Sequence, residues 1–329
     1  GLDDLLIGAR GDAYVVLARS IGSERELTLS TDADYRLRCG SCGSEAGTPF
    51  ASAGDVDGDG LADILVGAPY DKEELGGAAA GASYLVLGSS LGSSTDISLS
   101  ADADYTFIGE FEYSYSGTGV AGAGDVDGDG LADILIGVPG DKTAADYGAG
   151  SGGSDAGAAH LILGASLGAS STINLRDADY KFVAIHESSK LGGSLASAGD
   201  VDGDGLDDML FGTTGSVVYE SYLVLGSSLG LTTEIHLMDA DAIFTGEGDR
   251  AGFSVDGAGD VDGDGLDDIL IGAYGETSID GYKGKASLVL AATLWDAGTT
   301  TFSLSGADYQ FIGERDGDRA GMAVAGAGD

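Results

Sequence analysis

The strongest constraint on this chain is a repeat. The stretch Asp55-Val56-Asp57-Gly58-Asp59-Gly60-Leu61-Ala62-Asp63-Ile64-Leu65-Val66-Gly67-Ala68-Pro69 returns almost letter for letter from Asp125, Asp200 and Asp260. A fifth copy is divided: its second half is Gly1-Leu2-Asp3-Asp4-Leu5-Leu6-Ile7-Gly8-Ala9, and its first aspartate is Asp329, after Ala327-Gly328. The first aspartates stand 70, 75, 60 and 69 residues apart, and a period of this size marks repeated supersecondary units whose length differences lie in loops.

Each complete copy carries aspartates at positions 1, 3, 5 and 9 and a leucine at position 7 that can offer only its backbone carbonyl. The sets are Asp55, Asp57, Asp59, Leu61 and Asp63; Asp125, Asp127, Asp129, Leu131 and Asp133; Asp200, Asp202, Asp204, Leu206 and Asp208; and Asp260, Asp262, Asp264, Leu266 and Asp268. All these ligand atoms are hard oxygens. They suit calcium, which takes about six to eight oxygens in flexible geometry, better than magnesium with its strict octahedron or zinc with its preference for nitrogen and sulfur. Two carboxylates about 4 Å apart repel by on the order of 4 kcal/mol at an effective dielectric near 20, and a dication removes that cost. The expectation is one calcium per complete loop, about four in all, with Asp329 and Asp4 forming a partial fifth site. Gly/Asp turns without an ion are the plainer alternative. An EF-hand is excluded, because its bidentate glutamate at position 12 is replaced by Val66, Ile136, Phe211 or Ile271.

Strand patterns follow every loop. Ile64-Leu65-Val66 and Ile134-Leu135-Ile136 are short apolar runs bounded by Gly and Pro, and read as buried strands. A second run comes next in each unit, as in Tyr14-Val15-Val16-Leu17, Tyr84-Leu85-Val86-Leu87 and His160-Leu161-Ile162-Leu163. Then come a turn such as Ser90-Leu91-Gly92, an Asp-Ala-Asp-Tyr stretch as at 102–105 and 177–180, and a third strand such as Thr106-Phe107-Ile108. A fourth strand precedes the next loop, as in Phe253-Ser254-Val255 and Met322-Ala323-Val324. Four short strands per unit predict an all-β fold, a β-propeller of four-stranded blades with about five repeats, forming a single domain over 1–329. The Gly- and Ser-rich segments 71–81 and 141–157 read as loops between strands.

The Gly-Ala-Gly-Asp lead-ins such as 122–125, the Asp-x-Asp-Gly-Asp-Gly-x-x-Asp loops and the Gly67-Ala68-Pro69 ending resemble FG-GAP repeats, the units of the integrin α-subunit propeller and of many large secreted bacterial proteins. The Phe-Gly element is degenerate here (Phe50-Ala51, Gly252-Phe253), and Gly212-Thr213-Thr214 and Gly272-Ala273-Tyr274 depart from Gly-Ala-Pro. The resemblance implies seven blades, so either two lie outside this chain or five close alone. In the second case residues 321–327 would pair beside residues 2–9 and make the split repeat the ring's clasp.

Fifteen basic against 55 acidic residues leave a net charge of -40, which repels nucleic acid and anionic lipid and suits a salty, calcium-rich exterior. No apolar run approaches the roughly 18 residues of a membrane span. Both ends fall inside a repeat, which predicts a mature fragment or part of something longer. Asn174 is followed by Leu175-Arg176, so there is no N-glycosylation sequon. Cys39 and Cys42 are expected to form a local disulfide in an oxidising compartment, since zinc would need two more soft ligands. Arg10-Gly11-Asp12 spells an adhesion tripeptide that a glycine-rich chain also produces by accident, and the tyrosines after Asp-Ala-Asp read as packing anchors. No serine sits in a nucleophile elbow and the histidines lack an evident partner in the sequence, so catalysis is not expected. The functional expectation is a calcium-binding extracellular structural or adhesion module at the cell surface, meeting protein or glycan, or copies of itself. The alternatives are the building block of a fibre or surface array, and a carbohydrate-binding or carbohydrate-active domain.

Overall fold

The computed structural model describes residues 4–9, 11–22, 26–38, 49–71, 78–92, 94–142, 155–168, 170–215, 219–246, 250–275, 283–296 and 298–327. Among these the chain forms five sheets, joined by 3₁₀ turns and three helices of four to six residues. The second sheet shows the pattern. From one edge to the other it runs Phe50–Gly54, Asp63–Ala68, Ala82–Val86 and Tyr105–Ile108, all antiparallel, and ends with a parallel strand, Thr172–Asn174, contributed by the following repeat. The third sheet repeats it with Val120–Gly124, Asp133–Val138, Ala158–Ile162, Tyr180–Val183 and Glu234–His236, and the fourth with Leu191–Gly199, Asp208–Thr213, Glu220–Val224, Ala242–Thr245 and Thr301–Ser303. The fifth has Ala251–Gly259, Asp268–Ala273, Lys285–Val289 and Tyr309–Ile312, with no parallel strand beyond among the described residues. The first consists of Leu5–Ala9, Asp12–Val16 and Tyr35–Arg38 with the parallel Asp96–Ser98.

Successive sheets pack face to face through their innermost strands, Phe50–Gly54 beside Val120–Gly124, then Leu191–Gly199, then Ala251–Gly259. These are the blades of a β-propeller. The second strand of each inner blade is covered on both faces, which is why its apolar run is continuous rather than alternating. Side chains still alternate between the two neighbours. Leu65 packs with Ile134 and Ile136 of the third blade, whereas Ile64 and Val66 pack with Val15 and Leu37 of the first. Glycine permits the close approach between blades: a Cβ at Gly67 would lie 2.1 Å from the carbonyl oxygen of Gly117, and one at Gly137 would lie 1.8 Å from that of Gly192.

The Asp-Ala-Asp-Tyr stretches have a defined task. The carboxylate of Asp104 accepts the Leu87 N–H (2.8 Å) and the Ser90 hydroxyl (2.8 Å), latching the turn between strands, and Asp34, Asp179, Asp241 and Asp308 repeat this in their units. The Tyr105 and Tyr180 hydroxyls donate to the carbonyls of Gly168 and Gly230, each in the next unit.

Among the described residues, 4–9 and 321–327 do not pair with each other, as they would if five units closed alone. Leu5–Ala9 is the edge of its sheet and, among the described residues, pairs with Asp12–Val16 alone, while the tail runs beside Ala251–Gly259. There Val324 donates its N–H to Ser254 Oγ (3.0 Å), just as Val255 donates to Ser194 Oγ (3.0 Å) one blade earlier. The tail therefore lies where the innermost strand of a following blade would lie. No helix of the described residues is long and apolar enough to cross a membrane.

Candidate metal centres in the aspartate loops

All four complete loops adopt one geometry, fixed by carboxylates that accept the loop's own N–H groups. Asp55 Oδ1 accepts from Gly58 (2.9 Å) and Asp59 (3.0 Å), and its Oδ2 accepts from Gly60 (2.8 Å). Asp125, Asp200 and Asp260 hold the same three bonds at 2.7–3.0 Å. Gly58 and Gly60 take φ of +76° and +86°, a conformation that a side chain would strain, so the sharp wrap requires them. The position-9 aspartate ties the loop to the strand that follows. Asp63 accepts the Val56 N–H on one oxygen (2.9 Å) and the Gly88 N–H on the other (2.7 Å), a pattern kept at Asp133, Asp208 and Asp268.

The outcome is convergence. Asp55, Asp57 and Asp63 each bring a carboxylate oxygen within 4.8 Å of the other two, as do Asp125, Asp127 and Asp133; Asp200, Asp202 and Asp208; and Asp260, Asp262 and Asp268. Asp59, Asp129, Asp204 and Asp264 fall outside these mutually close sets, and their Oδ1 atoms accept the N–H of Leu61, Leu131, Leu206 and Leu266. Leu61 turns its side chain to solvent, whereas a δ-methyl of Leu131, Leu206 or Leu266 reaches over Gly58, Gly128 or Gly203 of the preceding loop. Among the described residues, Asp4 of the split repeat accepts the Ala18 N–H (2.8 Å), the bond Asp63 makes to Gly88; Asp329 lies outside them.

The electrostatics favour a cation. Asp63, Asp133, Asp208 and Asp268 are buried, and among the described residues no lysine, arginine or histidine forms an ion pair with any loop aspartate. Burial pushes Asp133 and Asp208 up to about 7, with repulsion from the neighbouring aspartates adding and the accepted N–H bonds opposing. Asp63, Asp268, Asp127 and Asp202 are raised for the same first cause. A group of hard oxygens that resist sharing their negative charge fits a divalent cation with oxygen preference.

Asp207 and Asp267, at position 8 of the third and fourth loops, lie outside the repeated 1, 3, 5, 9 pattern of aspartates. Asp207 Oδ2 accepts the Asp125 N–H (2.8 Å) and Asp267 Oδ2 accepts the Asp200 N–H (2.9 Å), each reaching into the preceding blade's loop. The signal was present, since the first two loops have Ala62 and Ala132 there.

The same segments match a known repeat family. Residues 49–86, 116–162 and 251–289 match the FG-GAP repeat. The chain carries FG-GAP repeats. The loops at Asp55, Asp125 and Asp260 fall within the matched FG-GAP segments, and the loop at Asp200 has the same hydrogen bonds.

The remaining candidates separate from these sites. Cys39 and Cys42 lie outside the described residues, as does Arg10 of the Arg-Gly-Asp tripeptide. Asp12 of that tripeptide opens a strand and pairs with Arg36 at 2.8 Å. The histidines do have partners. The buried His160 has its Nε2 3.3 Å from Glu110 Oε1, and Lys181 joins Glu110 to Asp141, 2.7 Å away. His186 and His236 lie 3.8 and 3.7 Å from Glu220 and Glu234.

Proposed function

We propose that the four complete loops each bind one calcium ion and that the protein is a non-catalytic, calcium-stabilised FG-GAP propeller serving as a structural or adhesion module outside the cell. The observation that carries this reading is the fourfold recurrence of three converging carboxylates, one of them buried and none paired with a basic side chain among the described residues. Positions 1, 3 and 9 supply carboxylate oxygens, and the carbonyls of Leu61, Leu131, Leu206 and Leu266 lie on the same loops; the position-5 aspartates use Oδ1 for the N–H of position 7 and have Oδ2 to offer. A loop of this kind with modest affinity stays filled where calcium is at extracellular levels, and the charge of -40 agrees with such a setting. The partners are protein or glycan at the cell surface. Thermal melting tests the metal reading: the melting temperature should fall when EGTA replaces calcium and return when calcium is restored, whereas an unchanged melt at equal ionic strength would refute it.

One feature favours glycan among those partners. A cavity of about 660 Å³ lies at the far ends of the second strands, away from the loops, and Tyr70, Tyr115, Phe253, Asp155 and Lys190 contribute to its wall. Aromatic faces beside a few charged groups suit a sugar ring. Binding of oligosaccharides that is lost in Tyr115→Ala would support this reading, and an unchanged profile would remove it.

A further inference from the structure

Adjacent metal loops are bonded unequally, and the inequality is internal to one chain. At every filled joint the residue at position 8 of one loop donates its backbone N–H to the carbonyl of the first aspartate in the preceding loop: Ala132 to Asp55 (2.9 Å), Asp207 to Asp125 (3.1 Å) and Asp267 to Asp200 (3.0 Å). Only the last two joints add a return bond, in which the position-8 carboxylate accepts the N–H of that same first aspartate. Asp125 and Asp200 are thus gripped by both backbone groups, and Asp55 by its carbonyl alone. The glycine before each loop makes room for the grip, since a Cβ on Gly124 or Gly199 would lie 2.1 or 2.0 Å from a carboxylate oxygen of Asp207 or Asp267.

We propose that Asp207 and Asp267 are positioning residues that hold the first metal-binding aspartate of the preceding blade in place and link neighbouring sites, so that binding in one loop prepares the next. This rests on the calcium reading above. Neither residue belongs to the converging sets, and the carboxylate of each is directed at a backbone N–H of the preceding blade's loop, so its role is positioning. Asp125 can turn its oxygens to an ion only while the backbone that carries them is still. Asp207 fixes that backbone and is itself fixed by its neighbour Asp208, which the third loop's ion would hold. Filling the third loop therefore orders the first ligand of the second, and Asp267 passes the same order from the fourth loop to the third. Between the first and second loops this path is missing at Ala132.

The test is site-resolved calcium titration by NMR of the whole chain, following the amides of Gly58, Gly128, Gly203 and Gly263. Asp207→Ala should weaken the loop at Asp125 by about five- to tenfold, the net worth of one ordinary hydrogen bond, and leave the loop at Asp55 unchanged. Asp207→Asn, which keeps an acceptor oxygen, should restore most of the loss. Ala132→Asp should strengthen the loop at Asp55 by a similar factor. In EGTA, hydrogen exchange should find the Asp125 and Asp200 amides slower than that of Asp55, with Asp207→Ala bringing Asp125 to the faster rate. If wild-type loops bind calcium but Asp207→Ala leaves the second loop's affinity unchanged, or weakens all four equally, the inference fails alone. If no loop of the wild type binds calcium, the calcium reading fails and this inference fails with it.

Discussion

Phe182 and Phe311 occupy the same position in the third and fifth blades, yet Phe182 is fully buried and Phe311 is 56% exposed. The strands that carry them, Tyr180–Val183 and Tyr309–Ile312, have the same length and the same antiparallel partner. What differs is the repeat that follows. Phe182 pairs across a parallel strand with Ile235 and packs on Phe211 of the fourth blade at a ring distance of 4.5 Å, whereas Tyr309–Ile312 has neither a parallel strand nor a following blade in the described residues. A blade does not bury its own core; its neighbour does, as in other arrays whose units are stable only in company.

The sharpest way to break this comparison is to truncate both rings. Phe182→Ala should destabilise by roughly 3–5 kcal/mol, the usual cost of emptying a packed aromatic site, while Phe311→Ala should change stability by less than about 0.5 kcal/mol. Urea denaturation of the two variants measures the contrast, and similar losses would mean that the fifth blade's outer strand is covered in solution.

Emptying any one calcium site should act next most strongly, because each filled site adds about 2.7 kcal/mol at a free concentration 100 times its Kd. The loss should appear as earlier hydrogen exchange in the loops and in the strands starting at Asp63, Asp133, Asp208 and Asp268, ahead of Tyr309–Ile312, which is already exposed.

The calcium-free protein should also respond to pH in a stated direction. Asp133 and Asp208 have folded values of about 7 against an ordinary 3.8, so they bind protons more tightly in the folded state. Their stabilising contribution is complete below about pH 4 and is lost as pH rises through about 7. In EGTA the melting temperature should therefore fall across that window, and Asp133→Asn with Asp208→Asn should flatten the fall. With calcium present the trend should reverse, because protons then compete with the ion.

The smallest effect separates two tyrosines. Tyr105→Phe loses the hydroxyl bond to Gly168 and should cost about 0.5–1.5 kcal/mol, whereas Tyr309→Phe, at a position 57% exposed, should cost nothing measurable by the same denaturation assay.

Much of this architecture was legible in the sequence for a physical reason. Strict recurrence of Asp-x-Asp-Gly-Asp-Gly-x-x-Asp fixes the turns, and runs such as Ile134-Leu135-Ile136 announce strands covered on both faces. The parallel strands were not legible. Asp96–Ser98, Thr172–Asn174, Glu234–His236 and Thr301–Ser303 are three residues long with one inward side chain each, too short to show a period. At the sites, recurrence identified which aspartates gather but not which way each one faces. The turn of Asp59 toward the Leu61 N–H is set by local backbone geometry, and the grip of Asp207 on Asp125 spans 82 residues.

The most direct test of the central claim is calcium counting on the intact chain by native mass spectrometry. The 32.7 kDa protein should carry one ion for each complete loop, four in all, and Asp133→Asn should carry one fewer. A chain that retains no calcium at millimolar free concentrations, or retains the same number after Asp133→Asn, would contradict the account.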